Sequence, residues 1–299
     1  MSVWGWMVGG LGAAAGSMAA VVYGLTVQAQ RPRHVPNETS PSVPYEDVIW
    51  QSHGKTVRGW YLPPDGEKGS SSEPSPAIIV AHGWRSNRSR VLRYALPLHE
   101  EGYAILMYDA RNHGESDDHR APSGWQFRDD LLSAIEWLRA KPGIDASRIG
   151  VIGHSLGAYG AVLSLEAGAP IAALVTDSMP VRFKEMIGAE LRRRRWPLFP
   201  LAQLVPLFML WRSGISWSAM RRSDPAVILR DNANKRGTPV LLVHSRKDAF
   251  IPPEELSLVL AGAPGLPHLF VEAEGHSASD RDPAFWPEVK RFFREQLKK

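Results

Sequence analysis

Short apolar runs alternate with helical stretches over most of this 299-residue chain. Residues 47–51 and 56–62 are two strand-like runs separated by a turn at 52–55, which predicts an antiparallel pair. Six further apolar runs predict buried strands, at residues 77–81, 104–108, 149–152, 172–176, 240–244 and 269–272. Helices are predicted between the strands, at residues 90–101, 126–140, 156–167, 253–261 and 283–296. A loop is predicted over residues 66–76, and the alternation as a whole favours a mostly parallel α/β sheet with helices on both faces.

The first thirty residues differ from the rest of the chain because none of them has a charged side chain. Residues 4–27 are mostly small and apolar, and they are long enough to span a hydrocarbon core of about 30 Å. This composition predicts a transmembrane anchor over residues 1–29, followed by a proline-rich tether over residues 30–45.

Two other interpretations of this N-terminal stretch stay open. A cleaved signal peptide is one, although such a peptide begins with Lys or Arg and none precedes Arg31. A buried Gly/Ala-rich helix is the other, but no later part of the sequence calls for one. If the stretch is an anchor, Arg31, Arg33 and His34 flank its C-terminal side, so the positive-inside rule favours a cytoplasmic globular part over an extracytoplasmic one.

Composition and charge exclude several classes of protein. A hydrophobic fraction of 44% with 22% charged residues is typical of a globular protein and predicts one domain over residues 46–299. The chain has no cysteine, which excludes disulfides, thiolate metal sites and cysteine nucleophiles. The net charge of +4 has a local origin, because residues 181–236 hold twelve Lys or Arg against four Asp or Glu. Basicity confined to one segment, without a recognition motif, does not predict nucleic-acid binding.

A candidate nucleophile stands between a predicted strand and a predicted helix. Residues 153–157 have the sequence Gly-His-Ser-Leu-Gly, which matches the G-x-S-x-G pattern of a sharp turn that exposes a serine. Glycines two residues before and after Ser155 relieve crowding at such a turn, and the N-terminus of the following helix favours negative charge. Because the pattern lies between a strand and a helix, it predicts Ser155 as the nucleophile.

The candidate nucleophile has candidate partners, because a serine hydroxyl needs a base and the base needs a group that orients it. The expected chain order is Ser, then Asp or Glu, then His, each on a loop after a strand. His276 follows the run at 269–272 and is the predicted general base and acid. Asp248 follows an earlier strand and is predicted to orient the imidazole and to stabilise its charged form. Asp177, at the end of another strand, is the alternative acid.

Two backbone N–H groups are candidates for an oxyanion hole, in which donors point to the oxygen that gains charge. Leu156, directly after the nucleophile, is predicted to supply one, and Trp84, after the strand at 77–81, to supply the other. Polar residues near these loops, among them His82 and Asp109, are predicted to brace the loops rather than to take part in catalysis. No cluster has convincing metal-ligand spacing, so neither a metal nor a cofactor is predicted.

About sixty residues separate two of the predicted strands, which predicts a helical lid over residues 180–236. Four arginines at 192–195 precede sixteen uncharged residues, and three prolines break that run, so a second transmembrane helix is not predicted. The aromatic side chains of this run are candidates for substrate binding: Trp196, Phe199, Phe208 and Trp211. One alternative is a lid that only packs on the domain, and another is a lid whose arginines contact anionic headgroups.

Five motifs together resemble the α/β-hydrolase superfamily, and most of all the membrane-anchored bacterial hydrolases of the serine-aminopeptidase-type domain group. The motifs are HGW at 82–84, YDARNHGES at 108–116, GHSLG at 153–157, HSRKDAFIP at 244–252 and EGH at 274–276. The resemblance spans residues 45–297. It implies an α/β-hydrolase fold, serine-dependent transfer of an acyl group to water, and no cofactor.

The motifs and this resemblance predict a serine hydrolase with a Ser-Asp-His triad that cleaves carboxylic esters through an acyl-serine intermediate. The apolar lid favours lipid-like esters or acyl thioesters as substrates. A serine peptidase or amidase is the alternative, since the same triad serves amides, and a catalytically silent binding module is a third hypothesis. The predicted partners are an acyl substrate and a membrane, the latter contacted through the N-terminal helix and the lid, and not nucleic acid.

Overall fold

One eight-stranded sheet organises the chain in the computed structural model, which describes residues 3–64, 73–235 and 237–298. Its strands are β1 Glu46–Ser52, β2 Lys55–Leu62, β3 Ser75–Ala81, β4 Ala104–Asp109, β5 Ile144–His154, β6 Ala173–Asp177, β7 Val240–Lys247 and β8 His268–Glu274. They lie in the order β1-β2-β4-β3-β5-β6-β7-β8. The β1–β2 and β2–β4 pairs are antiparallel and the other neighbouring pairs are parallel. The carboxyl ends of the parallel strands therefore meet at one edge of the sheet.

Helices cover both faces of this sheet. Within the described residues the α-helices are α1 Val3–Ala29, α2 Leu92–His99, α3 Gly124–Arg139, α4 Leu156–Glu166, α5 Phe183–Arg193, α6 Leu201–Arg212, α7 Trp217–Arg222, α8 Pro225–Asn234, α9 Glu254–Gly262 and α10 Phe285–Leu297. Helices α3, α4, α8 and α9 contribute apolar side chains to one core, and α2 and α10 contribute to a second core.

The inner strands supply both cores through the alternation of their side chains. Ile79 and Val151 belong to the first core, whereas their chain neighbours Ile78 and Ile152 belong to the second. All four side chains are fully buried. Successive side chains of a strand point to opposite faces, and burial on both faces explains why these runs are continuously apolar in the sequence.

The predicted secondary structure agrees with the observed elements of the sheet. Each of the eight predicted strands is present, and so are the five helices predicted outside the lid, with ends that differ by a few residues. The largest difference is at β5, which begins at Ile144 because Ile144 already pairs with Ser75. The predicted mostly parallel sheet with helices on both faces is thus confirmed. The loop predicted over 66–76 lies largely outside the described residues.

The predicted transmembrane anchor, and with it the predicted single-pass location in a membrane, is wrong. No helix among the described residues is both long enough and apolar enough to cross a membrane. Near its C-terminal end, α1 instead buries Val22 and Thr26 within the protein.

The C-terminal part of α1 packs on helix α6 instead. Val22 is fully buried in a cluster with Val205 and other apolar residues of α5 and α6. The Tyr23 ring meets the Trp211 ring edge to face, with centroids 6.2 Å apart. Helix α1 therefore covers apolar side chains of the lid. This contact explains a buried N-terminal helix, for which the sequence alone showed no reason.

Residues 30–45, predicted as a tether, lie against the domain. The Gln30 side-chain amide donates a hydrogen bond to the Pro122 carbonyl oxygen at 3.1 Å. The Asn87 side-chain amide, in the loop after β3, donates to the Val35 carbonyl oxygen at 2.8 Å. These contacts bring residues 30–45 close to the carboxyl edge of the sheet.

Helices α5 to α8 occupy the connection between β6 and β7, where the lid is predicted. Ile187 and Leu191 of α5 share a buried cluster with Leu201 and Val205 of α6. The two helices therefore form a small apolar core of their own, which α1 completes.

Candidate active site

Ser155 occupies the turn between β5 and α4. The strand ends at His154 and the helix begins at Leu156. The serine backbone has φ +52° and ψ −119°, a conformation that residues other than glycine rarely adopt and that occurs at functional turns. The Ser155 N–H donates a hydrogen bond to the Asp177 carbonyl oxygen at 2.8 Å, which ties the turn to the end of β6.

Two glycines allow this turn to pack closely. A Cβ atom on Gly153 would lie 2.6 Å from Ala158 Cα, and a Cβ atom on Gly157 would lie 2.4 Å from the Ala81 carbonyl oxygen. Both contacts are with backbone atoms, so a larger residue at either position would displace the main chain. The glycines of the predicted motif are therefore explained by the close approach of α4 to β3 and to its own turn.

His276 is within hydrogen-bond distance of the serine hydroxyl. Its Nε2 lies 2.8 Å from Ser155 Oγ. The histidine follows β8 directly after Gly275, whose φ of +97° favours glycine. Its ring also lies beside the Phe250 ring, with centroids 5.1 Å apart. The end of β8 and the glycine turn together bring His276 to the serine.

Asp248 contacts the other nitrogen of the same imidazole. Its Oδ2 lies 2.7 Å from His276 Nδ1, and its Oδ1 accepts hydrogen bonds from the N–H groups of Phe250 and Ile251, both at 2.9 Å. Burial raises the pKa of this carboxyl, but the hydrogen bond and charge of His276 and the two backbone donors lower it more, so the pKa lies below its ordinary value. An ionised carboxylate can only accept hydrogen bonds, so His276 Nδ1 donates to Asp248, and Nε2 of the neutral imidazole can accept from the Ser155 hydroxyl.

Asp177, the alternative acid, makes different contacts. Its carboxylate lies 3.4 Å from His154 Nδ1 and accepts a hydrogen bond from the Tyr94 hydroxyl. Burial lowers the pKa of His154 to about 4, although the negative charge of Asp177 acts in the opposite direction. The residue that the structure brings to His276 is therefore Asp248, whereas Asp177 pairs with a neighbouring histidine.

The two predicted oxyanion donors lie beside the serine. Trp84 and Leu156 both line a cavity that includes Ser155. Leu156 is the first residue of α4, so its N–H has no acceptor within the helix. Trp84 follows Gly83, where an added Cβ atom would lie 3.0 Å from Ser155 Cβ, so the chain passes the serine closely at this point. The role of the two N–H groups in stabilising an oxyanion stays a prediction.

A cavity of about 300 Å³, here called the apolar cavity, adjoins Ser155. Its lining residues are Ala29, Trp84, Arg85, Pro122, Ser123, Gly124, Ser155, Leu156, Met186, Ile187, Glu190, Arg193, Met209, Phe250 and His276. Met186 and Ile187 belong to α5 and Met209 belongs to α6. The predicted lid therefore supplies part of the wall, mainly through aliphatic side chains.

The four aromatic side chains predicted to bind substrate lie elsewhere. Among the described residues, those that line the apolar cavity do not include Trp196, Phe199, Phe208 or Trp211. Phe199 is 80% exposed and Trp211 is 70% exposed. Successive residues of a helix point about 100° apart, so α6 directs Met209 to the cavity and Phe208 and Trp211 away from it. Contact of the lid with an anionic lipid surface stays a prediction.

A second cavity, of about 520 Å³, also adjoins Ser155 and was not predicted from the sequence. It shares four lining residues with the apolar cavity: Trp84, Arg85, Ser155 and His276. Its other lining residues are Glu38, Thr39, Gly83, Ser86, Ser89, Arg90, Val91, Arg93, His154, Ser277 and Arg281. We call it the arginine cavity, because four arginines line it. Arg281 is far from the other three in the chain, so the sequence has no cluster of charged residues that predicts this site.

Buried polar residues brace the loop that contains Trp84. Arg88 Nη1 lies 2.6 Å from Asp109 Oδ2, and both side chains are buried. His82 Nε2 accepts a hydrogen bond from the Ala110 N–H at 2.9 Å. Buried charged and polar groups need such partners, and these contacts connect the loop after β3 with the loop after β4.

Comparison with known proteins gives matches over most of the chain. A family model described as "Alpha/beta hydrolase family" matches residues 78–298. The uncharacterized protein YqkD of Bacillus subtilis is 29% identical over 237 residues, which cover 77% of this chain and 72% of that protein. The lysophosphatidylserine lipase ABHD12 of Danio rerio is 26% identical over 217 residues, which cover 68% of this chain. The match spans 50% of the length of that relative.

A solved structure has the same architecture. The esterase Pf2001 of Pyrococcus furiosus superposes with a TM-score of 0.69 at 23% sequence identity, and the match covers 90% of this chain and 97% of the esterase. At this identity the likeness concerns the fold alone. The residues matched by the family model include the serine turn and the loops after β7 and β8. This chain therefore belongs to the alpha/beta hydrolase family.

Proposed function

We propose that this protein is a serine hydrolase that cleaves carboxylic esters through an acyl-serine intermediate. The observation that carries the proposal is the series of contacts from Asp248 through His276 to Ser155, at 2.7 and 2.8 Å. Such a series provides the serine hydroxyl with a base, and it provides the base with an orienting carboxylate. Membership of the alpha/beta hydrolase family supports the same class of reaction.

The proposed reaction has two stages. In the first, His276 accepts the hydroxyl proton while Ser155 Oγ attacks the ester carbonyl carbon, and the N–H groups of Leu156 and Trp84 stabilise the oxyanion. His276 then donates this proton to the departing alcohol, and the acyl group stays on the serine. In the second, His276 deprotonates a water molecule, which attacks the carbonyl carbon of the acyl-serine. The bond between that carbon and Ser155 Oγ then breaks, His276 donates the proton to the serine oxygen, and the carboxylic acid is released. Asp248 stabilises the charged imidazole in both stages.

The apolar cavity supports an acyl group of lipid-like character. Its aliphatic wall of Met186, Ile187 and Met209 suits an alkyl chain, and each buried methylene contributes about 0.8 kcal/mol. One relative is named a lysophosphatidylserine lipase. We therefore propose lipid-like esters as substrates, with acyl thioesters as a second type of acyl donor.

The first experiment tests the nucleophile. A fluorophosphonate probe is expected to label the wild-type protein and not the Ser155→Ala variant. Ser257→Ala, at an exposed serine on α9, is the matched control and should be labelled like the wild type. Labelling of Ser155→Ala at the wild-type rate would contradict the proposal, and so would the absence of labelling in all three proteins.

The second experiment separates esterase from amidase activity. A series of nitrophenyl esters from acetyl to palmitoyl is compared with aminoacyl nitroanilides under the same conditions. We expect the esters to be hydrolysed with higher kcat/KM than the amides, and an intermediate or long chain to be preferred. Higher kcat/KM for the aminoacyl amides would favour a peptidase. A labelled protein that hydrolyses none of these compounds would favour a binding module.

A further inference from the structure

The arginine cavity has more positive charge than the hydrolysis of a neutral ester requires. Its lining includes four guanidinium groups and one carboxylate: Arg85, Arg90, Arg93, Arg281 and Glu38. A cavity of this size beside the nucleophile has room for part of a substrate. Its charge therefore bears on which substrate the serine receives.

Two of the arginines are positioned by other residues of the protein. Arg85 Nη1 lies 3.6 Å from the carboxylate of Glu190. Arg93 Nε lies 3.6 Å from the carboxylate of Asp280, and Arg93 also donates a hydrogen bond to the Ser277 carbonyl oxygen. These contacts hold both guanidinium groups at the cavity and offset part of their charge.

The other two arginines are available to a ligand. The side chains of Arg90 and Arg281 are exposed and have no hydrogen bond or ion pair with any other residue in the described part of the chain. Arg90 lies in a short 3-10 turn after β3, and Arg281 lies in another after His276. Two separate loops thus present unpaired guanidinium groups to one cavity.

The residues that line both cavities indicate how an ester substrate would be oriented at the serine. Both cavities include Ser155 and His276, so a carbonyl carbon at the serine can direct its acyl chain into one and its leaving group into the other. The apolar cavity suits the acyl chain. Guanidinium groups bind phosphate oxygens through paired hydrogen bonds, so the arginine cavity suits a leaving group that has a phosphate.

We propose that the substrate is an acyl ester or thioester whose alcohol or thiol side has a phosphate group, which binds in the arginine cavity. The proposal rests on the ester hydrolysis proposed above and adds the chemical class of the leaving group. Glu38 opposes this binding, because it is the one carboxylate among the described residues that line the cavity.

The test compares two pairs of acyl donors, each with and without phosphate. The first pair is octanoylglycerol phosphate and octanoylglycerol, used below the concentrations at which they form micelles. The second pair is octanoyl-coenzyme A and the octanoyl thioester of N-acetylcysteamine. We expect kcat/KM to be higher for the phosphate compound of at least one pair, by about tenfold or more. The first pair represents a phospholipid-type headgroup and the second a nucleotide.

Substitutions at the cavity should change this ratio in opposite directions. Arg90→Gln and Arg281→Gln are each expected to lower the ratio of the phosphate to the neutral compound about tenfold, whereas Glu38→Gln should raise it. Arg139→Gln removes an exposed arginine at the end of α3 that does not line either cavity, and it should leave the ratio unchanged. Added salt should reduce the preference of the wild type, because it screens charges at exposed sites.

The outcomes separate this proposal from the proposed function. If the wild type hydrolyses the neutral compounds and has no preference for phosphate in either pair, the arginine cavity does not bind the leaving group and ester hydrolysis stands. An equal loss of preference in Arg139→Gln and Arg90→Gln would also overturn the proposal. If none of the four compounds is hydrolysed and the fluorophosphonate does not label Ser155, the proposed function and this inference fail together.

Discussion

The carboxyl edge of the sheet places polar side chains beside Ser155, whereas the lid helices place mainly aliphatic side chains beside the same serine. The sheet edge contributes Asp248 and His276, which reach Ser155 through contacts of 2.7 and 2.8 Å. The lid contributes Met186 and Met209, which are flexible aliphatic side chains positioned by packing. The comparison teaches that strand ends determine the geometry of the proposed chemistry, whereas helix faces determine the shape of the acyl site.

The largest effect is expected at the sheet edge, where the nucleophile lies. Ser155→Ala removes the attacking oxygen, so kcat for the preferred ester should fall about 10⁴- to 10⁶-fold. Steady-state hydrolysis measures the loss, with Ser257→Ala as the control that keeps wild-type kinetics. Activity of Ser155→Ala within tenfold of the wild type would show that the sheet edge does not supply the nucleophile.

A smaller effect is expected for the acid. Asp248→Asn removes the charge that orients His276, and kcat should fall about 10²- to 10⁴-fold. Asp177→Asn instead weakens a buried contact with His154, so it should lower the melting temperature more than it lowers kcat. Both variants are measured by hydrolysis and by thermal unfolding. A greater loss of kcat in Asp177→Asn than in Asp248→Asn would show that Asp177, and not Asp248, acts with His276.

Low pH should destabilise the carboxyl edge of the sheet, because buried histidines lie there. The lid, residues 180–236, contains no histidine. Burial lowers the pKa of His154 to about 4, from an ordinary value of 6.5. As the pH falls from 6.5 to 4, the unfolded state binds the proton first, so the free energy of unfolding decreases by about 3 kcal/mol for this residue. Burial lowers the pKa of His82 and His113 as well, which adds to the decrease.

Chemical denaturation at a series of pH values between 7.5 and 4.5 measures this dependence. His154→Gln should have a shallower slope than the wild type, because the substituted side chain takes up no proton. An identical slope in the two proteins would show that His154 does not contribute to acid destabilisation.

The smallest effect is expected at the lid. Met209→Trp should fill part of the apolar cavity and lower kcat/KM for a decanoyl ester about tenfold relative to a butanoyl ester, since about two methylenes lose their contacts. Phe199→Ala changes an exposed aromatic residue outside the cavity and should leave the chain-length preference unchanged. If Phe199→Ala shifts the preference as much as Met209→Trp does, the lid contacts substrate through its exposed face.

Much of the fold and of the candidate site could be predicted because both follow from local patterns. Continuous apolar runs mark strands that are buried on both faces, and the ends of parallel strands meet at one edge. Ser155, Asp248 and His276 each follow such a run, so their proximity is a consequence of strand order. The glycines two residues before and after Ser155 also predicted the sharp turn, because the turn requires residues without a side chain at those positions.

The N-terminal helix could not be predicted in the same way. Small and apolar residues suit both a membrane-spanning helix and a helix that packs on another part of the protein, and Val22 takes the second role. The aromatic residues of α6 present a similar problem, because hydrophobicity does not reveal which side of a helix faces the cavity. Packing against α1 and α5 decides that orientation.

The sequence by itself determined the type of sheet, the serine turn and the loops that contain Asp248 and His276. Each of these depends on residues close together in the chain, whose spacing is visible in the sequence. Only the tertiary structure decided that α1 covers the lid, that Met209 lines the apolar cavity, and that Arg281 joins three distant arginines at a second cavity. The physical reason is that such surfaces form between elements far apart in the chain, and their composition depends on how those elements pack.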